Sequence, residues 1–238
     1  MRSIKFITPK ELNRYIPKEY YFWSSISPYY VPLFGKFFWN RLKKIIKLIL
    51  KLKANHRIKL DNILDIGCGI GFFSLNIGIN NPGVRINGID ILEEWQNDYI
   101  KRIFKKFNQN FEIITHNIET KSGFPDDFFD LIVALDVMEH VRNLKPALDE
   151  IERVLKKNGK FIITIPVESI ILQYARMIYA RVSKRLVCND HWKGAISSVQ
   201  MFDKLIKKKF KVEYYRTYPF SGFPLTFSYG LLYFLSKT

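Results

Sequence analysis

The stretch Ile63-Leu64-Asp65-Ile66-Gly67-Cys68-Gly69-Ile70-Gly71 constrains the fold of this chain more than any other. A short apolar run stops at an acid and three glycines on alternate positions. That is the pattern of a buried strand entering a tight loop. Glycine suits such a loop because it reaches φ > 0 and lacks a Cβ, so a ligand can approach the backbone. Residues 72 to 77 then start a helix whose free N–H groups face the same space. The dinucleotide fingerprint is G-x-G-x-x-G. Here the third glycine comes one residue too early, which argues against a nicotinamide-dependent dehydrogenase. Taken alone, the stretch also reads as a glycine turn with no ligand.

A second β-rich run, residues 84 to 91, ends in Asp90-Ile91 about twenty residues beyond the glycines. A carboxylate at the end of the second strand of an α/β nucleotide fold accepts two hydrogen bonds from a ribose diol. The alternative is an acid that caps the next helix. Residues 111 to 115 form a third run, followed by the polar turn His116-Asn117-Ile118-Glu119. A fourth, Phe129-Asp130-Leu131-Ile132-Val133-Ala134-Leu135, leads into Asp136-Val137-Met138-Glu139-His140-Val141. Residues 147 to 157 read as a helix, Asn158-Gly159 as its left-handed cap, and residues 160 to 166 as a fifth strand.

Five landmarks in this order resemble the class I S-adenosylmethionine-dependent methyltransferases over residues 60 to 166. The glycine loop resembles motif I, hydrophobic-Asp/Glu-x-Gly-x-Gly-x-Gly. Phe129-Asp130 and the apolar run after it resemble strand four, and Glu139-His140-Val141 the segment that follows. Arg153-Val154-Leu155-Lys156-Lys157-Asn158-Gly159 resembles the family's Arg-Val-Leu-Lys-x-Gly-Gly, with Asn in place of its first glycine. The motifs are most similar to the type 11 and quinone-biosynthesis branches. The resemblance implies an α/β fold: a Rossmann-like, doubly wound, seven-stranded, mostly parallel sheet with an antiparallel last strand. It implies S-adenosyl-L-methionine as cofactor. Asp65, Gly67, Cys68, Gly69 and Gly71 would form its loop, Asp90 would hold the ribose, and Ile91 would lie against adenine. Asn117, Ile118 and Leu135 would complete the site. Family members often carry an acid where Asn117 stands; its amide oxygen still accepts a hydrogen bond.

Transfer to an oxygen or nitrogen nucleophile is helped by a general base. His140, just past strand four, stands at the carboxyl edge where such sheets bind ligands; Glu139 and His140 equally read as the start of a helix. Asp136, Glu139 and His140 also resemble an acid-x-x-Glu-His pattern that holds a divalent cation in some polyprenyl-quinone O-methyltransferases. Asp replaces the usual Glu, three such residues on one turn equally cap a helix, and no metal is expected. His191 lies in the loop after strand five, where family members build the acceptor pocket, and is a second base candidate.

Residues 1 to 56 read as a helical extension, an acceptor lid or membrane contact, and residues 57 to 238 as the methyltransferase domain. An acceptor-pocket insertion is expected at about 168–198. Two cysteines, Cys68 and Cys188, give no disulfide framework, and a cytoplasmic setting with peripheral membrane contact is expected. The net charge of +16 is concentrated in amphipathic segments. Around residues 39 to 53, Leu42, Ile45, Ile46 and Ile49 share one helical face, and Lys43, Lys44, Lys47 and Lys51 the other. With the aromatic residues before it, this helix suits a membrane interface; a core-packed helix with solvated lysines fits the same pattern. Residues 170 to 185 and 204 to 211 repeat the basic theme. Three such segments point to an anionic partner, a lipid surface before RNA. No apolar stretch reaches spanning length. The expected acceptor is an apolar or small molecule, with RNA, or a non-catalytic cofactor-binding partner protein, as the alternatives.

Overall fold

The computed structural model describes residues 3–16, 34–93, 98–166, 199–218 and 230–237. After a four-residue helix α1 (Pro9–Leu12), a long helix α2 (Phe34–Ala54) precedes the sheet. Then come β1 (Asn62–Ile66), α3 (Phe72–Gly78), β2 (Arg85–Asp90), α4 (Asp98–Lys106), β3 (Phe111–Thr115) and β4 (Phe129–Leu135). The chain continues through α5 (Leu144–Val154), β5 (Leu155–Pro166), α6 (Val199–Lys209), β6 (Phe210–Tyr218) and β7 (Gly230–Lys237).

The seven strands lie in the order β3-β2-β1-β4-β5-β7-β6. Strands β1 to β5 pair in parallel, and β7 inserts antiparallel between β5 and β6. This is the expected Rossmann-like sheet. The chain winds outward from β1 to β3, then returns to place β4 on the other side of β1. Ligands bind at such a reversal, outside the carboxyl ends of the strands. Apolar residues sit on alternate positions of the central strands, so each face receives its own set. Ile63, Leu131, Val133 and Ile162 pack with α2, α3 and α4; Leu64, Ile132, Phe161 and Ile163 pack with α5 and α6.

Helix α2 resolves the two readings of its pattern. Leu42, Ile45, Ile46 and Ile49 are all buried in the core against the sheet. The apolar face that would enter a bilayer is thus occupied. Lys44, Lys47 and Lys51 are exposed, and Lys43 lies over the Trp39 ring. The segment before α1 is stitched to the end of α3: Lys5 N–H donates to Asn80 Oδ1 (2.8 Å) and Ile7 N–H to Asn76 Oδ1 (2.9 Å).

One local expectation fails. Helix α5 ends at Val154, and Leu155 already pairs with Phe129 of β4. Asn158 and Gly159 therefore lie in β5, and neither has positive φ. Gly159 is small for another reason: a Cβ there would stand 2.6 Å from the Leu155 side chain and 2.9 Å from the Lys156 carbonyl. The expected helix and loop of residues 168 to 198, with Cys188 and His191, lie outside the described residues. So do Tyr29 and Tyr30, aromatic residues before α2, and Pro219, Gly222 and Pro224, which are expected to interrupt the chain between the last two strands.

Candidate cofactor site

The glycine loop turns at the carboxyl end of β1 through three left-handed residues. Gly67, Gly69 and Gly71 have φ of 64°, 50° and 73°. A residue with a Cβ pays for that backbone sterically, which is why glycine occupies each position. The loop is tied to β2 by main-chain bonds: Gly67 N–H and Cys68 N–H both donate to the Ile89 carbonyl, at 2.8 and 3.2 Å. Its glycines also serve packing. A Cβ on Gly67 would lie 2.3 Å from Val137, and one on Gly71 would lie 2.6 Å from the Phe111 ring.

Asp90 ends β2 beside this loop. Gly69 N–H donates to its Oδ2 (2.9 Å) and Leu92 N–H to its Oδ1 (3.1 Å). Both oxygens are thereby oriented, and a carboxylate has about four lone-pair sites, so acceptor capacity remains for a diol. Next to it Ile91 is 68% exposed and Leu92 45%, an apolar pair at the open edge of the sheet. Such residues favour a flat apolar ring above them. Asn117 is exposed after β3, and its side-chain oxygen accepts from Glu119 N–H (3.0 Å), forming a local turn. Ile118 is buried, and Leu135 ends β4 half-buried.

Asp65 and Cys68 sit deeper than the sequence suggests. Asp65 is buried under the loop, where the Ser74 hydroxyl donates to its carboxylate at 2.6 Å. Burial pushes its pKa up to about 7; the Ser74 bond opposes this and the Asp90 charge adds to it. The Cys68 thiol is buried and free, and burial pushes it well up from the usual thiol range. Nothing in the local pattern marks Ser74 as the partner of Asp65, nine residues away.

At the end of β4 the chain makes a strained turn. Asp136 has φ of 57°, in the left-handed region. Arg41 of α2 grips its carboxylate through both terminal nitrogens, one of them at 3.0 Å. Thr164 of β5 donates to the same carboxylate at 2.8 Å and accepts from the Asp136 N–H at 3.0 Å. Arg41 and Thr164 are missed by any reading of local motifs. Glu139 follows, fully buried, and neither carboxylate oxygen has a hydrogen-bond partner among the described residues. Burial drives its carboxyl well above the usual range; the Asp136 charge adds to the shift and Arg41 opposes it. His140 is different: its side chain is 46% exposed, and its ring nitrogen lies 3.9 Å from Glu139. Among the described residues no three His, Cys, Asp or Glu side chains are grouped to hold a metal.

A family model described as a methyltransferase domain matches residues 59–215. The chain belongs to the class I S-adenosylmethionine-dependent methyltransferases. Among curated relatives, an uncharacterized protein of Methanocaldococcus jannaschii is 33% identical over 139 residues, covering 58% of this chain and 54% of that protein. The ubiquinone biosynthesis O-methyltransferase of Rickettsia akari is 30% identical over 127 residues, covering 52% of this chain and 47% of that protein. The chain thus spans about half the length of these relatives. Among solved structures, the PH0226 protein of Pyrococcus horikoshii superposes with a TM-score of 0.65 at 21% identity, covering 94% of this chain and 100% of that one. A methyltransferase of Methanosarcina mazei gives 0.57 at 21% identity, covering 77% and 96%.

S-Adenosylmethionine is the family's cofactor, and the residues present fit it. The fit rests on the Asp90 carboxylate, fixed by two N–H groups beside a left-handed glycine loop, with an exposed apolar pair at its side.

Proposed function

We propose that this methyltransferase acts on an oxygen, nitrogen or carbon nucleophile of an apolar or small-molecule acceptor, close to a membrane surface. The observation that carries the reading is the Asp90 clamp beside the glycine loop, with an accessible histidine past the end of β4. When bound, S-adenosylmethionine supplies a methyl group already activated on a sulfonium. Gly67, Gly69 and Gly71 would shape its seat, Asp90 would hold its ribose, and Ile91, Asn117, Ile118 and Leu135 would line the adenine side. His140 takes the proton of an oxygen or nitrogen acceptor. Burial drives the Glu139 carboxyl well above the usual range, which disfavours its charged form beside the His140 ring 3.9 Å away. His191, in the segment expected to build the acceptor pocket, is the second base candidate.

An apolar acceptor is supported by relatives whose names carry such substrates: the ubiquinone-pathway enzyme of Rickettsia akari and a sterol 4-C-methyltransferase of Caenorhabditis elegans. No helix among the described residues is long and apolar enough to cross a membrane. With the apolar face of α2 in the core, membrane contact falls to its lysines and is electrostatic, so salt should weaken it. The net charge of +16 also supports the RNA reading.

The test is calorimetry with S-adenosylhomocysteine and NAD, then an activity screen over lipid, quinone and RNA extracts. S-Adenosylhomocysteine should bind and NAD should not, and methylated product should appear in the lipid or quinone fraction. Product in RNA alone would move the acceptor to nucleic acid. Binding without product in any fraction would leave a non-catalytic cofactor-binding partner.

A further inference from the structure

Beside α2, away from the glycine loop, the described residues leave part of one face of the sheet open. A groove of about 300 Å³ runs between α2 and the edge strand β6, lined by Lys44, Leu48, Tyr214, Arg216, Tyr218 and Leu232. Its place follows from strand alternation. Tyr214, Arg216 and Tyr218 share one face of β6, opposite Phe234, Leu232 and Gly230 of β7. Leu232 is the buried floor and Tyr214 stacks on Phe234 with ring centroids 5.5 Å apart.

Two cations meet in this groove without an acid. Lys44 Nζ lies 6.0 Å from the centre of the Tyr218 ring. The Arg216 charge reaches the phenol groups of both Tyr214 and Tyr218. Among the described residues, neither cation has a carboxylate partner. Elsewhere among the described residues several cations are paired: Lys160 with Glu213, Lys207 with Asp203, Lys209 with Asp149 and Glu152, and Lys237 with Asp127. Two positive charges without a carboxylate partner thus stand in a concave place with partly apolar walls, where attraction for an anion is strengthened. The two tyrosines stay neutral donors. Burial pushes the Tyr214 pKa up to about 12 and raises that of Tyr218, so neither opposes an anion with a phenolate.

We propose that this groove is a binding site for a phosphate-type anion. The Arg216 guanidinium offers a planar fork that matches two phosphate oxygens, Lys44 adds a second positive charge, and the Tyr218 hydroxyl is a third donor. The volume lies at the small end of sites that take organic ligands, roughly 300–1,000 Å³. It leaves room for the first atoms of an ester against Leu48, Leu232 and the tyrosine rings. The phosphate comes either from a soluble ester or from a lipid headgroup. This site is separate from the cofactor site and does not depend on the proposed acceptor.

Calorimetry with inorganic phosphate and phenyl phosphate tests it, on wild type, Lys44→Gln, Arg216→Gln, Arg216→Lys and Lys51→Gln, which is exposed on the same helix outside the groove. Both probes should bind wild type. Lys44→Gln and Arg216→Gln should each lower affinity about tenfold or more, the effect of losing a charged hydrogen bond. Arg216→Lys should recover part of it, and Lys51→Gln should match wild type. Sedimentation with phosphatidic acid vesicles, against phosphatidylcholine alone, separates the sources. Capture of wild type but not Arg216→Gln supports a lipid headgroup; phosphate binding with no capture supports a soluble ester. Failure of wild type to bind either probe overturns the proposal. So does an equal loss in Lys51→Gln and Arg216→Gln, with phosphate or an oligoribonucleotide, because the affinity would then belong to diffuse charge. Unchanged affinity in both groove variants leaves Arg216 as a guard of an open sheet edge, and also overturns it. S-Adenosylhomocysteine affinity should be equal in all five proteins. Its absence in wild type would sink methyl transfer while leaving the phosphate result standing.

Discussion

Asp90 accepts from the loop at Gly69 N–H, and the same carboxylate is proposed to hold the ribose of the cofactor. Asp90→Ala should therefore weaken S-adenosylhomocysteine binding by about 1.5–3 kcal/mol, the cost of losing a charged acceptor. Calorimetry reads this directly, and unchanged affinity would place the diol elsewhere. Gly67 looks from the sequence like a position kept small for a ligand. In the structure a Cβ there meets Val137 first, at 2.3 Å, on a backbone with φ of 64°. Gly67→Ala should cost about 1–2 kcal/mol for the left-handed backbone alone, plus the clash. Adding Val137→Ala removes the clash but not the backbone strain. The double variant should thus be more stable than the sum of the two single losses predicts, in urea unfolding. Additive losses would mean that Val137 does not limit this site.

Helix α2 shows what an amphipathic pattern specifies and what it does not. The pattern fixes which face is apolar; whether that face meets a sheet or a bilayer depends on what lies opposite. Here Ile49 is fully buried, so Ile49→Ala should cost about 2–5 kcal/mol in chemical denaturation. Lys47→Gln, on the exposed face, should change stability by no more than about 0.5 kcal/mol. The same helix carries Arg41 to the end of β4. The Arg41 side chain is 8% exposed and that of its partner Asp136 is 26%. Removing one member of a buried pair leaves the other without compensation. Partial exposure of Asp136 softens this, so Arg41→Met should destabilise by about 2–3 kcal/mol. A loss no larger than that of Lys47→Gln would show that the pair does not tie α2 to the sheet.

For the whole molecule, buried acids set a pH dependence of known sign. Asp65, with its pKa near 7 when folded, binds a proton that the unfolded chain has already lost above about pH 4. Its contribution to stability is full below the unfolded value and fades as pH rises from about 4 to about 7. Glu139, also raised, acts with the same sign. Glu150 acts the other way. Burial works against its charge, but the bonds from Arg153 and Ser122 prevail and pull its pKa down to about 2, so its contribution is lost as pH falls through that range. The urea midpoint should therefore fall between pH 5 and pH 8. Asp65→Asn, an amide in place of the protonated acid, should show a smaller fall. An identical fall in both proteins would assign the pH dependence to other groups.

The sequence by itself determined the order of strands and helices, the glycine loop and the acid at the end of β2. Those signals are local: left-handed turns need glycine, buried parallel strands need apolar runs, and both can be read from neighbouring residues. Even a local signal erred where two local causes look alike. Gly159 was legible as a residue that must be small, but the demand comes from the Leu155 side chain and not from a helix cap. The tertiary structure alone decided the rest. Arg41 and Asp136 lie 95 positions apart, and Asp136 and Thr164 lie 28 apart. The groove joins α2 to β6 across most of the chain. Such contacts are fixed by strand order and by which helix covers which face. Those depend on the packing of the whole sheet, which no stretch of sequence encodes separately.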